Sequence, residues 1–182
     1  MRALLAAGDA CYTEFKNLIV WDKGSGGMGS LYRSRHELIG VFKSGAGKHR
    51  NNVQLGATGR NRTNVWSYPG MNSFHRGRDA ALALHPTVKP VALCADAMLD
   101  CSGRRGIILD PFGGSGTTLI AAERTGRHAR LIERDPLYVD VALHRARTLL
   151  GLSAVNLWTG QVVEPSGANV GRSRSTRRGG RR

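Results

Sequence analysis

The sequence has few cysteines and no long apolar run. Its three cysteines, Cys11, Cys94 and Cys101, are scattered, and they show neither the spacing of a zinc site nor the even number of a disulfide framework. The apolar opening stretch of residues 3–7 is stopped by Asp9, so it is too short for a signal-peptide core or a membrane span. We therefore expect a soluble cytoplasmic protein without a metal site or a membrane partner.

Acidic residues are also absent from one long stretch, between Glu37 and Asp79. The basic residues of that stretch are Lys43, Lys48, Arg50, Arg60, Arg62, Arg76 and Arg78. The last 11 residues add six arginines and no acid, and the formal net charge of the chain is +14. Such an excess favours a polyanionic partner, most simply nucleic acid, although a solvated surface and tail would carry the same charge.

The spacing of apolar residues and turn residues predicts an α/β fold. The predicted elements are a helix within 1–16, strands at 17–22 and 37–42 in a hairpin-like unit, a helix after Pro90, a strand at 107–109, a helix at 117–124, a strand at 129–132, a helix at 136–150 and a strand at 155–158. Residues 43–79 are rich in Gly, Asn and Arg and predict irregular loops. Strands that alternate with helices are typical of a doubly wound sheet.

A glycine turn, DPFGGSGTT at 110–118, follows the strand at 107–109. It lacks the Gly-Lys-Ser/Thr of a phosphate loop and the third small residue of the dinucleotide fingerprint. Glu133 lies 23 residues after Asp110, where an acid can accept both hydroxyls of a ribose. The pattern is compatible with a nucleoside cofactor that has an amino-acid tail, and also with an ordinary turn beside a surface acid.

Three motifs in order, HPTVKP at 85–90, DPFGGSGTT and IERDP at 132–136, resemble the beta-ordered family of DNA N4-cytosine and N6-adenine methyltransferases. YRSRHELI (32–39), RNNVQLG (50–56) and RTNVWSYPG (62–70) are similar to its members as well. The resemblance implies a Rossmann-like S-adenosylmethionine-dependent methyltransferase sheet with an irregular target-recognition insertion, and double-stranded DNA as the partner. It also implies a cofactor pocket formed by Thr87, Lys89, Asp110, Phe112, Gly114, Gly116 and Glu133.

The resemblance further divides the chain into four parts. They are partial catalytic-side strands at 1–42, target-recognition loops at 43–84, the S-adenosylmethionine-binding half at 85–164 and a basic disordered tail at 165–182. In the loops, the basic residues named above would contact DNA together with Trp66, which is equally compatible with packing in a small core.

The catalytic tetrapeptide of that family, Asp, Asn or Ser followed by Pro-Pro and an aromatic residue, is missing. The six prolines stand at 69, 86, 90, 111, 136 and 165, and none are adjacent. We therefore expect an N-terminally truncated chain with an incomplete sheet and no catalytic residue of its own. Such a chain is a gene remnant, the product of a misplaced start, or one half of a split enzyme whose complementary fragment is encoded upstream. The alternatives are a non-catalytic DNA-binding remnant or regulator and, less favoured, a different nucleoside-cofactor enzyme.

Overall fold

The computed structural model describes residues 1–29, 31–57, 61–70 and 88–164. Thr87, Arg60, Arg76, Arg78 and the basic tail lie outside the described residues. The elements in chain order are α1 (Arg2–Cys11), β1 (Glu14–Asp22), β2 (His36–Lys43), β3 (Val65–Ser67), α2 (Val91–Cys101), β4 (Ile107–Asp110), α3 (Thr117–Thr125), β5 (His128–Leu131), α4 (Pro136–Leu150), β6 (Ala154–Val155) and β7 (Val162–Val163).

The first sheet has the strand order β2-β1-β3. β1 pairs antiparallel with β2, with Ile19 opposite Ile39, which confirms the predicted hairpin-like unit. β1 also pairs in parallel with β3, where Trp21 lies opposite Trp66. The prediction that this part of the chain is irregular was wrong for β3, because a three-residue strand has too little alternation to be recognised without its partner.

A buried cluster of Ile19, Trp21, Trp66 and Leu93 joins this sheet to α2. The Trp66 side chain is only 9% exposed, and its indole nitrogen donates a hydrogen bond to the carbonyl oxygen of Thr63 at 3.0 Å. The structure therefore corrects the expectation that Trp66 contacts DNA, because apolar burial holds its ring in the core. Trp66 instead packs in a small core, which is the other interpretation of this residue given above.

The second sheet consists of β4 and β5, which pair in parallel with Asp110 opposite Leu131. One face contacts α2 and α3, where Ile108 and Ala129 pack against a buried cluster of Met98, Ala121 and Ala122. On the other face Ile107 and Leu109 are 69% and 66% exposed. Within the described ranges no strand pairing joins the two sheets, so the α/β fold is confirmed with a divided sheet.

The helices around the second sheet begin and end at residues suited to those positions. Asp135 caps α4 by accepting a hydrogen bond from the Leu137 amide at 2.9 Å, and Pro136 fills the first helical position. Gly126 and Gly151 end α3 and α4 in the left-handed conformation, each with φ of 69°, as glycine does readily. These signals explain why both helices were predicted almost to the residue.

The last predicted strand, 155–158, was wrong in extent. Only Ala154–Val155 is a strand, and it pairs antiparallel with Val162–Val163. The Asn156 side chain accepts hydrogen bonds from the amides of Trp158 and Thr159, at 2.9 Å and 3.1 Å, which turns the chain instead of extending it. None of the helices that the structure describes is long and apolar enough to cross a membrane.

Candidate functional site

The glycine turn lies where two parallel strands end. Asp110 closes β4 and Leu131 closes β5, and the two residues are paired across the sheet. Glu133 follows two residues after β5 ends. The turn and the glutamate therefore share the carboxyl edge of the sheet, the edge at which open α/β sheets bind ligands.

Asp110 braces the turn from its first residue. One carboxylate oxygen accepts a hydrogen bond from the Phe112 amide at 3.0 Å, and the other accepts one from the Thr118 hydroxyl at 2.6 Å. The same side chain thus holds both the start of the turn and the first turn of α3. Asp110 therefore acts within the loop, as a brace between the turn and the helix that follows it.

Gly116 is required by both conformation and space. Its φ is +75°, in the left-handed region. A Cβ atom placed on it would lie 2.7 Å from the Ala142 Cβ and 3.1 Å from the Ala142 Cα. The backbone of the turn can therefore rest directly on α4 only because residue 116 has no side chain.

The Glu133 carboxylate joins the two strand ends. One oxygen accepts a hydrogen bond from the Gly114 amide at 2.6 Å, and the other accepts one from the Asp135 amide at 2.9 Å. The carboxylate is half-buried beside the glycine turn. Because a carboxylate oxygen can accept more than one hydrogen, these bonds orient Glu133 without exhausting its capacity.

Phe112 projects from the same turn and is 85% exposed. A large ring that faces water beside a polar turn does not belong to the core. Its face is available to a planar apolar group next to the turn.

Lys89 lies near the turn through its backbone. Its carbonyl oxygen accepts a hydrogen bond from the Thr117 hydroxyl at 3.3 Å. Its ammonium lies 3.0 Å from a Glu37 carboxylate oxygen and 5.4 Å from the centroid of the Trp21 ring. Lys89 therefore joins the first sheet to the start of α3, and its charge is shared with Glu37.

Arg145, for which the sequence pattern predicted no role, lies directly under the turn. Its Nη1 donates to the Ser115 carbonyl oxygen, to the Ser115 hydroxyl at 2.9 Å and to the Thr117 hydroxyl at 3.3 Å. The signal was present, since position 145 falls on the apolar face of α4 with Val141 and Ala142.

The basic residues divide into two groups. Lys48 and Arg50 are exposed, whereas the Lys43 ammonium bonds the Gly45 carbonyl oxygen at 2.7 Å. The Arg62 Nε lies 2.6 Å from Asp100 on α2, and its guanidinium lies 4.2 Å from the centroid of the Trp66 ring. Arg62 therefore has a visible structural role in holding the 61–70 segment to α2.

Tyr68 belongs to the same contact, because its hydroxyl donates to an Asp96 carboxylate oxygen. Burial and this hydrogen bond raise the pKa of Tyr68 above its ordinary value.

Comparison with known proteins decides the family. The family model for DNA methylases matches residues 5–144. The chain belongs to the DNA methylase family. The motifs that resemble amino-methyltransferases are thus set in a chain whose sequence fits that family over most of its length.

Three known proteins are similar to this DNA methylase chain. Type II methyltransferase M.ScaI of Streptomyces caespitosus is 35% identical over 98 residues, which are 54% of this chain and 32% of M.ScaI. The structure of the M1.HpyAVI–SAM complex has a TM-score of 0.56 and 24% identity, and the match covers 72% of this chain and 61% of that chain. The structure of TTHA0409 of Thermus thermophilus, complexed with S-adenosylmethionine, has a TM-score of 0.51 and 28% identity. That match covers 76% of this chain and 56% of TTHA0409. The match to M.ScaI thus spans about a third of that protein.

Proposed function

We propose that this chain provides the S-adenosylmethionine-binding half and part of the DNA-contacting surface of a site-specific DNA methyltransferase. The reaction is methyl transfer to the exocyclic amine of adenine (N6) or cytosine (N4). The observation that carries the proposal is the Glu133 carboxylate bonded to the Gly114 amide at the carboxyl edge of two parallel strands. The S-adenosylmethionine complex of TTHA0409, at 28% identity, supports the same cofactor.

The residues of the edge fit that cofactor. Glu133 would accept the ribose hydroxyls, and the exposed Phe112 ring would lie against an apolar part of the cofactor. The glycine turn leads into the amino end of α3, where a carboxylate is favoured. Lys89 and Thr87 would border the amino-acid end, with Lys89 sharing its charge between that carboxylate and Glu37.

Alignment is the main task that the protein has in this reaction. The sulfonium of S-adenosylmethionine supplies an activated methyl group when it is bound. Asp110 and Glu133 hold the turn, and Glu133 would hold the sugar beside it. Such a fixed arrangement would lower the entropic cost of bringing methyl group and amine together.

The target amine needs acceptors that these 182 residues do not offer as a Pro-Pro-aromatic motif. We propose that this motif lies on polypeptide outside them, such as an upstream-encoded complementary fragment. The exposed Ile107 and Leu109 side chains on β4 support this, because a doubly wound sheet normally has both faces covered. The length of M.ScaI, of which this chain matches 32%, supports it too.

Residues 43–84 are proposed to contact double-stranded DNA. Lys48 and Arg50 are exposed and would position phosphates, and Arg60, Arg76 and Arg78 are proposed for the same role from sequence. Lys43 and Arg62 stay in the proposal as secondary contacts, since each already has a partner within the protein. Trp66 is not proposed as a DNA contact.

Labelled cofactor tests the proposal. Residues 1–182 and a version extended by the residues encoded upstream in frame are each mixed with methyl-labelled S-adenosylmethionine and duplex DNA. We expect both to bind the cofactor and the extended version alone to transfer label. Mass spectrometry of the nucleosides then identifies the base as N6-methyladenine or N4-methylcytosine.

The remaining outcomes separate the candidates. Full transfer by residues 1–182 alone would contradict the need for a completing segment. DNA binding by both versions with transfer by neither would favour the non-catalytic DNA-binding alternative, which the missing Pro-Pro pair supports. A preference for a nicotinamide dinucleotide in calorimetry would contradict the cofactor assignment.

A further inference from the structure

Arg145 is a charged side chain in an unusual place. It lies on the buried face of α4 and is only 8% exposed. The acceptors that its guanidinium reaches are the three oxygens of Ser115 and Thr117. Over the described ranges its charge forms no ion pair with a carboxylate.

A buried cation without an acidic partner is costly unless its hydrogens are well bonded. Burial, together with the nearby Arg124, lowers the pKa of Arg145, although an arginine stays protonated at neutral pH. Bonds from a charged donor to neutral oxygens therefore offset the cost of burial. The same bonds restrain the oxygens, all of which belong to the glycine turn or the first residue of α3.

The restraint extends to the other parts of the proposed cofactor site. Between the two bonded residues lies Gly116, whose backbone rests on Ala142, one helical turn before Arg145. The Thr117 hydroxyl also donates to the carbonyl oxygen of Lys89. A continuous series of contacts thus runs from α4 through the turn to the segment that ends the HPTVKP motif.

We propose that Arg145 is a positioning residue for the cofactor site, which fixes residues 115–117 in the shape that receives the amino-acid end of the cofactor. The inference rests on the proposed function for the identity of that ligand. The fixing of the turn itself rests only on the contacts of Arg145. Its positive charge beneath the turn adds to that of the amide ends of α3 and favours an anionic group there.

Two substitutions and a matched control test this role in the full chain. Arg145→Met keeps the apolar stem and removes the charge and the donors, while Arg145→Lys keeps the charge and loses the planar fork. Arg147→Met alters an exposed arginine of the same helix, which pairs with Glu164. Amide hydrogen exchange of residues 113–118 is measured without cofactor, and S-adenosylmethionine affinity is measured by calorimetry.

We expect Arg145→Met to speed amide hydrogen exchange in the turn. The exchange of α3 and α4 beyond the turn should change little, and so should the midpoint of unfolding. Cofactor affinity should fall by roughly 10- to 100-fold, because the hydrogen bonds from a charged donor that shape the turn are lost. The exchange rate and the cofactor affinity of Arg145→Lys should lie between those of Arg145→Met and of the parent. This variant provides the test if Arg145→Met fails to fold. Arg147→Met should behave as the parent.

Unchanged exchange in residues 113–118 of either Arg145 variant would overturn the inference, as would an affinity loss equal to that of Arg147→Met. Faster exchange confined to the turn, in a parent protein that binds no S-adenosylmethionine, would support the fixing of the turn and contradict the proposed cofactor instead. The two failures are therefore distinguishable.

Discussion

At the scale of single residues, Glu133 shows how backbone amides orient a side chain. Its two oxygens are oriented by the Gly114 and Asp135 amides before any ligand arrives. An acceptor that is already oriented loses little conformational entropy on binding. The acid that is proposed to bind the ribose is thus oriented by two backbone amides at the edge of the sheet.

We expect Glu133→Ala to weaken S-adenosylmethionine binding by roughly 10- to 100-fold, because hydrogen bonds to a charged acceptor are lost. Glu133→Gln keeps one acceptor oxygen and should lose less. Calorimetry measures both, with Glu123→Ala, an exposed glutamate of α3, as the control. Equal affinity for the parent and Glu133→Ala would remove Glu133 from the proposed site.

At the scale of elements, the 61–70 segment is held to α2 by polar contacts at its rim. Arg62 pairs with Asp96 and Asp100, and Tyr68 donates to Asp96. Under them, Trp66 of β3 and Leu93 of α2 share a core. The 61–70 segment of the proposed DNA-contacting region is therefore attached to the helix that precedes the glycine turn.

We expect this attachment to weaken at alkaline pH. The pKa of Tyr68 is raised in the folded chain, so the folded state keeps the proton longer than the unfolded state, whose tyrosine has a pKa of about 10. The contribution to stability is present below about pH 10 and is lost as the pH rises through the raised folded value. Urea unfolding at a series of pH values measures it.

Tyr68→Phe should lower the free energy of unfolding by about 1 kcal/mol at neutral pH and flatten the alkaline limb. Tyr12→Phe, which alters an exposed tyrosine of the first sheet's rim, should leave that limb as in the parent. If Tyr68→Phe and the parent lose stability equally above pH 10, the hydroxyl contributes nothing to the attachment.

At the scale of the whole molecule, the charge of +14 dominates its encounter with a polyanion. When a protein binds DNA through phosphates, the logarithm of the binding constant falls linearly as the logarithm of the salt concentration rises. We expect Lys48→Ala and Arg50→Ala each to reduce that slope by about 0.9, the value for one lost phosphate contact on duplex DNA. Fluorescence anisotropy with duplex DNA at several salt concentrations measures the slope.

Arg147→Ala removes one charge from α4, which lies outside residues 43–84 in the sequence, and serves as the control. A slope that changes as much in the control as in Lys48→Ala would show that net charge alone, rather than the proposed surface, governs binding. Deletion after Pro165 tests the tail in the same assay.

The sequence predicted the second sheet and its helices well, since glycine ends, a proline start and apolar periodicity are local signals. β3 was not predicted, because its pairing with β1 joins residues that are 45 positions apart, Val20 with Val65. Trp66 was ambiguous for the same reason, since only the fold shows which aromatic ring finds a core. The role of Arg145 needed the position of the turn, which no local pattern contains.

The exposed aliphatic pair on β4 also matters to anyone who produces this chain. Ile107 and Leu109 face water and form an apolar patch through which copies of the protein can associate. A concentrated preparation of residues 1–182 would then lose material to aggregates, and a fusion tag would leave that patch untouched. Co-expression with the proposed completing segment is the remedy that these exposed side chains suggest.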